Sequence, residues 1–298
     1  MKLIENMPIP MLRAIAAAVS STGMARKIIN LRHRRWTGRC INWSNPTTLQ
    51  EYVFTTLFDA ASDTARLQLY ADLADKVKVR EYAASRCPGL RTPELLGCWE
   101  SAQDIDWESL PQKFAMKTNN GCGTNLIVRD KNTLDLREAT KKLSRWIKFP
   151  YGTLSGQIHY SRIRPLIFAE ALLEPRDGKG ELPLDYKFFC FNGEPRFILF
   201  YEGRTVNGHI TPNMAFNLEW EPIPGAVLRP IGHDIEAPAS LRQMTDCARA
   251  LSQGLPFARV DFYDIDGEAV LGEITLTPDV TANFTEEFLR KVMAEYVR

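Results

Sequence analysis

Two strand-like runs near the end of this 298-residue chain, Arg259-Val260-Asp261-Phe262-Tyr263 and Leu271-Gly272-Glu273-Ile274-Thr275, flank a short acidic turn. Each run carries a carboxylate with a polar residue two positions away, the pattern of a magnesium site built on a β-hairpin. Side chains alternate along a strand, so Arg259 shares a face with Asp261, and Glu273 with Thr275. The turn decides whether all four share one face. A two-residue Asp266-Gly267 loop pairs position 261 with 272 and sends Glu273 to the opposite side. A three-residue loop, Ile265-Asp266-Gly267, ending in a left-handed Gly bulge, pairs 259 with 273 and unites the four. The metal-site reading therefore requires the three-residue loop, and an acidic hairpin on a solvated surface is the plain alternative.

Far upstream, Phe114-Ala115-Met116-Lys117 reads as a short strand. It runs into Thr118-Asn119-Asn120-Gly121-Cys122-Gly123-Thr124-Asn125 and out through Leu126-Ile127-Val128. Gly121 and Gly123, with the small Cys122 between them, make a flexible hairpin tip. Its backbone N–H groups suit phosphate, and Lys117 adds charge at the base. It is not a P-loop, which needs Lys and Ser/Thr after the last glycine.

A lysine and glycine loop followed by an Asp/Glu hairpin resembles the ATP-grasp enzymes, and within them the teichuronopeptide-biosynthesis (TupA-like) group. The resemblance runs from about Asn45 to Pro278. It includes Asn45-Pro46-Thr47-Thr48-Leu49, the segment Ala74 to Tyr82 with its Asp75-Lys76 pair, and Leu110-Pro111 through Val128. It continues with Phe168-Ala169-Glu170-Ala171-Leu172-Leu173-Glu174, then Asp185 to Gly193, and ends on the acidic hairpin. What it implies is an α+β ATP-grasp fold, two α+β lobes clasping ATP, with a helical N-terminal extension. The implied chemistry is that of an ATP- and Mg²⁺-dependent carboxylate–amine ligase. A carboxylate attacks the γ-phosphate, and an amine then displaces phosphate from the acyl phosphate.

The same resemblance distributes roles. Lys76 and Lys117 contact ATP phosphates, with Gly121, Cys122 and Gly123 in the covering loop. Glu170, Leu172 and Leu173 form the hinge that receives adenine, and Asp185 serves the ribose. Lys187, inside an apolar strand, is hard to explain unless it meets an anion. Asp261, Glu273 and Thr275 are the metal ligands, Thr275 standing where most relatives have Asn. Arg259 is the catalytic cation for the developing acyl-phosphate oxygens. Past Pro278 the chain departs from its relatives, which implies an acceptor pocket that is shorter or completed by another molecule. The substrates implied are a small-molecule or glycan carboxylate, such as a uronic acid of a cell-surface polysaccharide, and an amine. Rival readings are a phosphotransferase, a glycosyltransferase or a non-catalytic nucleotide-binding module. Against glycosyl transfer, the candidate metal carboxylates sit on a hairpin.

Composition is that of an ordinary globular protein, with 45% hydrophobic and 24% charged residues, which excludes wholesale disorder. The net charge of +1 hides an asymmetry. Residues 1–39 hold eight Lys/Arg against Glu5 alone, a charge of +7, so the remainder carries −6. Met7 to Val19 reads as an amphipathic helix continued by a basic segment, Arg26 to Arg39. It either docks on anionic lipid or acidic glycan or packs on its own domain. The run Ala14–Val19 is too short to span a bilayer, and the charge order is not that of a signal peptide. A cytoplasmic protein, peripheral at most to the inner membrane face and without a nucleic-acid partner, is expected. Six cysteines without a CxxC pair read as reduced thiols, and four scattered histidines offer no metal site.

Helices are expected over Thr48–Leu57, Asp63–Arg86, Ala139–Trp146, Ser240–Ser252 and Thr285–Val297, and strands at Arg91–Leu96 and Leu166–Ala169. Asn192-Gly193 marks a hairpin between Tyr186–Phe191 and Pro195–Tyr201. The expected organisation is a basic extension (1–44), a pre-grasp region (45–110), and two ATP-grasp subdomains (111–174 and 175–298).

Overall fold

The structure, a computed structural model, describes residues 7–174, 182–202 and 212–297. The Asp177-Gly178-Lys179-Gly180 segment expected before the second sheet lies outside the described residues, as do Lys2 and Glu5. The chain forms two compact units, each drawn from separated stretches. One comprises Met1–Cys40, Ala60–Lys78 and Glu94–Leu172, and the other Ile41–Asp59, Val79–Pro93 and Leu173–Arg298.

Helices α1 (Ile9–Ala18) and α2 (Thr22–Thr37) open the first unit. The Ser21 hydroxyl caps α2 by accepting from the Met24 N–H, and Gly38 closes it at φ 76°. Helix α3 (Leu49–Ala60) belongs to the second unit and starts in a reciprocal cap. The Glu51 carboxylate accepts from the N–H groups of Thr47, Thr48 and Asn42, while Thr48 Oγ1 accepts from the Glu51 N–H. Burial works against the Glu51 charge, but these donors outweigh it and hold the carboxyl below its ordinary 4.5.

The helix expected over Asp63–Arg86 is in fact two, α4 (Thr64–Ala74) in the first unit and α5 (Val79–Arg86) in the second. Asp63 caps α4 as expected, accepting from the Ala65 and Arg66 N–H groups. The break lies at Asp75, whose Oδ1 accepts from the N–H groups of Val77 and Lys78. A side chain thus takes donors that a continuous helix would have given to carbonyls one turn back. Helices α6 (Leu136–Trp146) and α7 (Tyr151–Ser155) complete the first unit, and α8 (Leu241–Ser252) and α9 (Glu286–Val292) the second.

The first unit's sheet is antiparallel, in the order β1 (Leu95–Trp99), β4 (Ile167–Ala171), β2 (Phe114–Thr118), β3 (Asn125–Val128). The strand expected at Arg91 begins only at Leu95, after Pro93, which has no N–H for a ladder. One sheet face buries Phe114, Met116, Val128 and Ile167 under Leu143 and Ile147 from the α6 side. Helix α2 is fastened to this unit through buried Ala25, Ile29 and His33. Arg32 donates to the Ser155 carbonyl at 2.9 Å. Gly156, at φ +77°, meets the Ala25 carbonyl so closely that a Cβ would lie 2.9 Å from it.

The second unit's sheet runs β7 (Asn213–Phe216), β6 (Glu194–Tyr201), β5 (Asp185–Phe191), β8 (Phe257–Ile265), β9 (Glu268–Thr275), all antiparallel. Asn192 (φ 51°) and Gly193 (φ 83°) make the expected two-residue turn between β5 and β6. On one face Phe189, Phe191, Phe197 and Phe257 pack with Leu49 and Val53 of α3 and Phe288 and Leu289 of α9. The opposite face carries buried Phe188, Cys190, Val260 and Phe262, with the Cys190 thiol reaching the Ala248 carbonyl of α8 at 3.9 Å.

Two of the six thiols depart from the reduced state expected. Cys87, just past α5, and Cys247 of α8 form a disulfide with Cα atoms 5.8 Å apart. Folding lays α5 along α8, where Tyr82 also donates to the Leu251 carbonyl at 3.0 Å, and no local spacing announces a pair 160 residues apart. Cys40, Cys98, Cys122 and Cys190 are outside any disulfide.

Two outcomes follow from these features. Thiol titration of the unreduced, denatured protein should find four reactive groups per chain, and six after reduction; six without reduction would refute the disulfide. Because the Glu51 carboxyl is depressed in the fold, its contribution is present above pH 4.5 and lost as pH falls through the folded value. Glu51→Gln should cost about 1–3 kcal/mol at pH 7 and progressively less under acid, read by urea unfolding across pH.

Candidate active site

The hairpin of β8 and β9 turns on two residues. Ile265 pairs with Glu268, and both Asp266 (φ 64°) and Gly267 (φ 78°) are left-handed. The three-residue loop required by the metal-site reading is therefore absent. The four side chains meet nonetheless, because the register slips by one between Asp261 and Phe262. Phe262 pairs with Leu271 but Asp261 pairs with Glu273, leaving Gly272 as the extra residue of a β-bulge. A bulge reverses the side-chain parity that the short turn imposes, and so returns Glu273 and Thr275 to the face of Arg259 and Asp261. Space there is tight: a Cβ would lie 3.0 Å from the Tyr263 ring and 3.2 Å from the Asp261 carbonyl oxygen, so a larger residue requires its neighbours to shift.

Arg259 is the centre of the resulting cluster. Its Nε and Nη2 grip the two oxygens of Asp261 at 2.6 Å each, and Nη2 also reaches Glu273 at 3.1 Å and Thr275 at 3.0 Å. The Thr275 hydroxyl donates to Glu273 at 3.1 Å. From the neighbouring strand β5, Lys187 stands opposite Asp261 in the ladder. Its ammonium lies 2.5 Å from Asp261 and 2.7 Å from Asp185. The anion that Lys187 meets is thus, first, the protein's own pair of carboxylates.

Asp185 and Asp261 are almost wholly buried, at 1% and 3% exposure. Burial pushes Asp261 up from its ordinary value and Asp185 adds to this, while Arg259 and Lys187 pull it down. Three charge-assisted bonds are the donor pattern of an ionised carboxylate. For Arg259, burial alone would favour the neutral form, but the charge of Asp261 and its bonds overcome this and raise the guanidinium. Three carboxylates against two cations leave the cluster at −1. Asp185, Asp261, Glu273 and Thr275 offer oxygen donors only, which suits a hard divalent cation such as Mg²⁺. Among the described residues no three His, Cys, Asp or Glu gather as a metal-ligand group. Metal binding at Asp261 and Glu273 would require Arg259 to release the oxygens it now holds.

The first unit organises the other candidate residues. Lys117 and Glu170 form a salt bridge across the neighbouring strands β2 and β4. Lys76 sits on the turn after Asp75, not on a helix, and donates to the Gly121 carbonyl at 2.9 Å. The loop is held at its root by Asn119, whose side chain donates to Asp75 and to the Arg164 carbonyl and accepts from the Leu166 N–H. Sequence reasoning missed Asp75 and Asn119 as anchors, although their places beside Lys76 and at the loop's first turn were visible. Gly121 lies against the Tyr151 ring, 3.2 Å from where its Cβ would be. The Cys122 thiol donates to the Tyr151 hydroxyl at 3.0 Å. Behind the loop a cavity of ≈ 380 Å³ is lined by Thr118, Gly121, Cys122, Trp146 and Tyr151 among others. Thr118 and Lys117 point to opposite sheet faces, so this cavity is on the side away from the Lys117–Glu170 pair. Leu172 and Leu173 follow β4, half-buried, where the chain leaves the first unit.

The bulge yields a test. Gly272→Val should lower the urea-unfolding free energy by about 1–3 kcal/mol, and adding Tyr263→Ala should recover part of that loss by clearing the ring. An unchanged unfolding midpoint in the single variant would show that the bulge does not need glycine.

No curated protein matches the chain. Solved structures similar to it include a D-alanine–D-alanine ligase from Bacillus anthracis complexed with ATP, at 16% identity over 69% of this chain and 54% of that one, TM-score 0.40. A D-alanine–D-alanine ligase from Helicobacter pylori gives 15% identity over 76% of this chain and 61% of that one, TM-score 0.42. A D-cycloserine synthetase gives 14% over 88% of each chain, TM-score 0.47. The chain thus spans little more than half the length of the first of these ligases, and likenesses this loose carry no weight for the chemistry. The decisive match is to the model of the TupA-like ATPgrasp family, which covers residues 59–297, and the chain belongs to that family.

Proposed function

We propose that the protein is an ATP- and Mg²⁺-dependent carboxylate–amine ligase that works through an acyl phosphate. The observation that carries the reading is the buried cluster around Arg259, in which oxygen donors and fixed cations converge on one sheet face. Transition states of phosphoryl and acyl transfer concentrate negative charge, and preorganised cations stabilise them without reorganising. In this reading Asp261 and Glu273, with Thr275 beside them, hold Mg²⁺, which neutralises phosphate charge when bound. Arg259, released from Asp261, steadies the acyl-phosphate oxygens, and Lys187 offsets the charge that remains on Asp185 and Asp261. In the first unit Lys76, Lys117 and the Gly121-Cys122-Gly123 loop take phosphate. Glu170, Leu172 and Leu173 take adenine, and Asp185 the ribose. The carboxylate substrate is a uronic acid or similar group used in cell-surface polysaccharide assembly, joined to an amino acid or another amine. The enzyme works in the cytoplasm, where ATP is made available, with the basic N-terminal helices at the inner membrane face or on acidic glycan.

ADP release with amino acids screened against uronic acids tests the assignment. ADP and phosphate formed only when both substrates are present is the expected result. ADP with a phosphorylated acceptor would identify a phosphotransferase instead, and ATP binding without turnover a binding module. By calorimetry, Lys117→Ala should weaken ATP binding by about 1.5–3 kcal/mol, whereas Asp261→Asn should bind ATP but lose turnover. Unchanged affinity in Lys117→Ala would remove the phosphate assignment.

A further inference from the structure

The N-terminal helices carry charge and apolar surface that no part of the proposed chemistry uses. From Met7 to Gln50 the chain has seven Lys and Arg and not one Asp or Glu. The inner face of α2 is committed to its own unit through Ala25, Ile29 and His33, so the helix is preformed. Its outer face repeats at i, i+4, i+7 and i+8 with Lys27, Leu31, Arg34 and Arg35, all exposed. Leu31 is 70% exposed on that face; Trp36, also exposed, projects from the opposite side of the helix, half a turn round from Lys27. On α1, Leu12 and Ala16 are buried, whereas Met11 (51%) and Ile15 (37%), one turn apart, face outward. Eight large apolar residues are exposed among the described residues, and four of them are on these two helices.

We infer that α1 and α2 form a docking surface for an anionic lipid bilayer. Cations alone would serve any polyanion. Leu31, set among Lys27, Arg34 and Arg35, gains nothing from a soluble glycan or nucleic acid but gains by entering the headgroup–acyl boundary, as do the exposed Met11 and Ile15 of α1. A second copy of the chain is a poor occupant, because two such faces bring like charges together. No described helix is long and apolar enough to cross a membrane, so the contact is peripheral. Anchoring is then the sum of a modest apolar insertion and attraction to anionic headgroups, which salt screens within about 10 Å at 0.1 M.

The test uses the full-length protein, independently of any ligase activity. Sedimentation with vesicles of neutral phosphatidylcholine, or of the same lipid with about one-third phosphatidylglycerol, is measured at low and high salt. Binding only to the anionic vesicles, and falling steeply with salt, is expected. Each of Lys27→Glu, Arg34→Glu and Arg35→Glu should lower partitioning at least about five-fold, the equivalent of one surface charge. Leu31→Ser, at an exposed site that leaves the core intact, should weaken vesicle binding while leaving retention on a soluble acidic polysaccharide unchanged. No binding of the intact protein to anionic vesicles overturns the inference. So does vesicle binding insensitive to Leu31→Ser, which would mark a general polyanion site instead.

Discussion

The second unit's polar chemistry depends on one contact, the two-point grip of Arg259 on Asp261. A carboxylate at 3% exposure in the middle of a sheet is tolerable only if its lost hydration is replaced by donors. Two guanidinium bonds at 2.6 Å and the Lys187 ammonium at 2.5 Å provide that replacement. Removing one member of such a set leaves a buried charge uncompensated, at a cost of about 3–5 kcal/mol. Arg259, Lys187 and the carboxylates therefore act as a unit. The same grip gives the site a built-in competition, because the oxygens that suit a metal are those the guanidinium occupies.

The sheet divides its face to make this arrangement affordable. Residues 185, 187, 189 and 191 alternate onto one side of β5, and so do 257, 259 and 261 on β8. At one end of that side the phenylalanines Phe189, Phe191 and Phe257 are sealed by α3 and α9. At the other end the same parity presents Asp185, Lys187, Arg259 and Asp261. A rigid apolar half holds the strands in register, so the charged half starts from fixed positions. The first unit solves a similar problem differently, tying a mobile type of sequence down at its root. Asn119 spends its amide on Asp75, Arg164 and Leu166, and Lys76 holds the Gly121 carbonyl, while Cys122 and Gly123 stay exposed.

Sequence alone determined the family and much of the local structure. The motifs that carry the TupA-like ATP-grasp resemblance are short runs whose residue types are dictated by local needs, such as small residues at a loop tip and an Asn-Gly turn with both residues left-handed, and the Asp63 cap of α4 is equally local. The parity that puts Arg259 with Asp261 and Asp185 with Lys187 is likewise a property of any extended strand. Only the tertiary structure decided how these runs combine. The Asp266-Gly267 turn is two residues long, and by itself it would separate the two carboxylates. Gly272 reunites them through a bulge crowded by the Tyr263 ring and the Asp261 carbonyl, neither of which periodicity reveals. The break between α4 and α5 is made locally by Asp75 Oδ1 on the Val77 and Lys78 N–H groups, and only its tie to Asn119, forty-four residues away, comes from the fold. The Cys87–Cys247 bond exists because α5 lies along α8. Local propensity is written in neighbouring residues and can be read there. Register slips, loop anchors and cross-links are chosen by partners beyond the local run, and the chain has to fold before those partners are known.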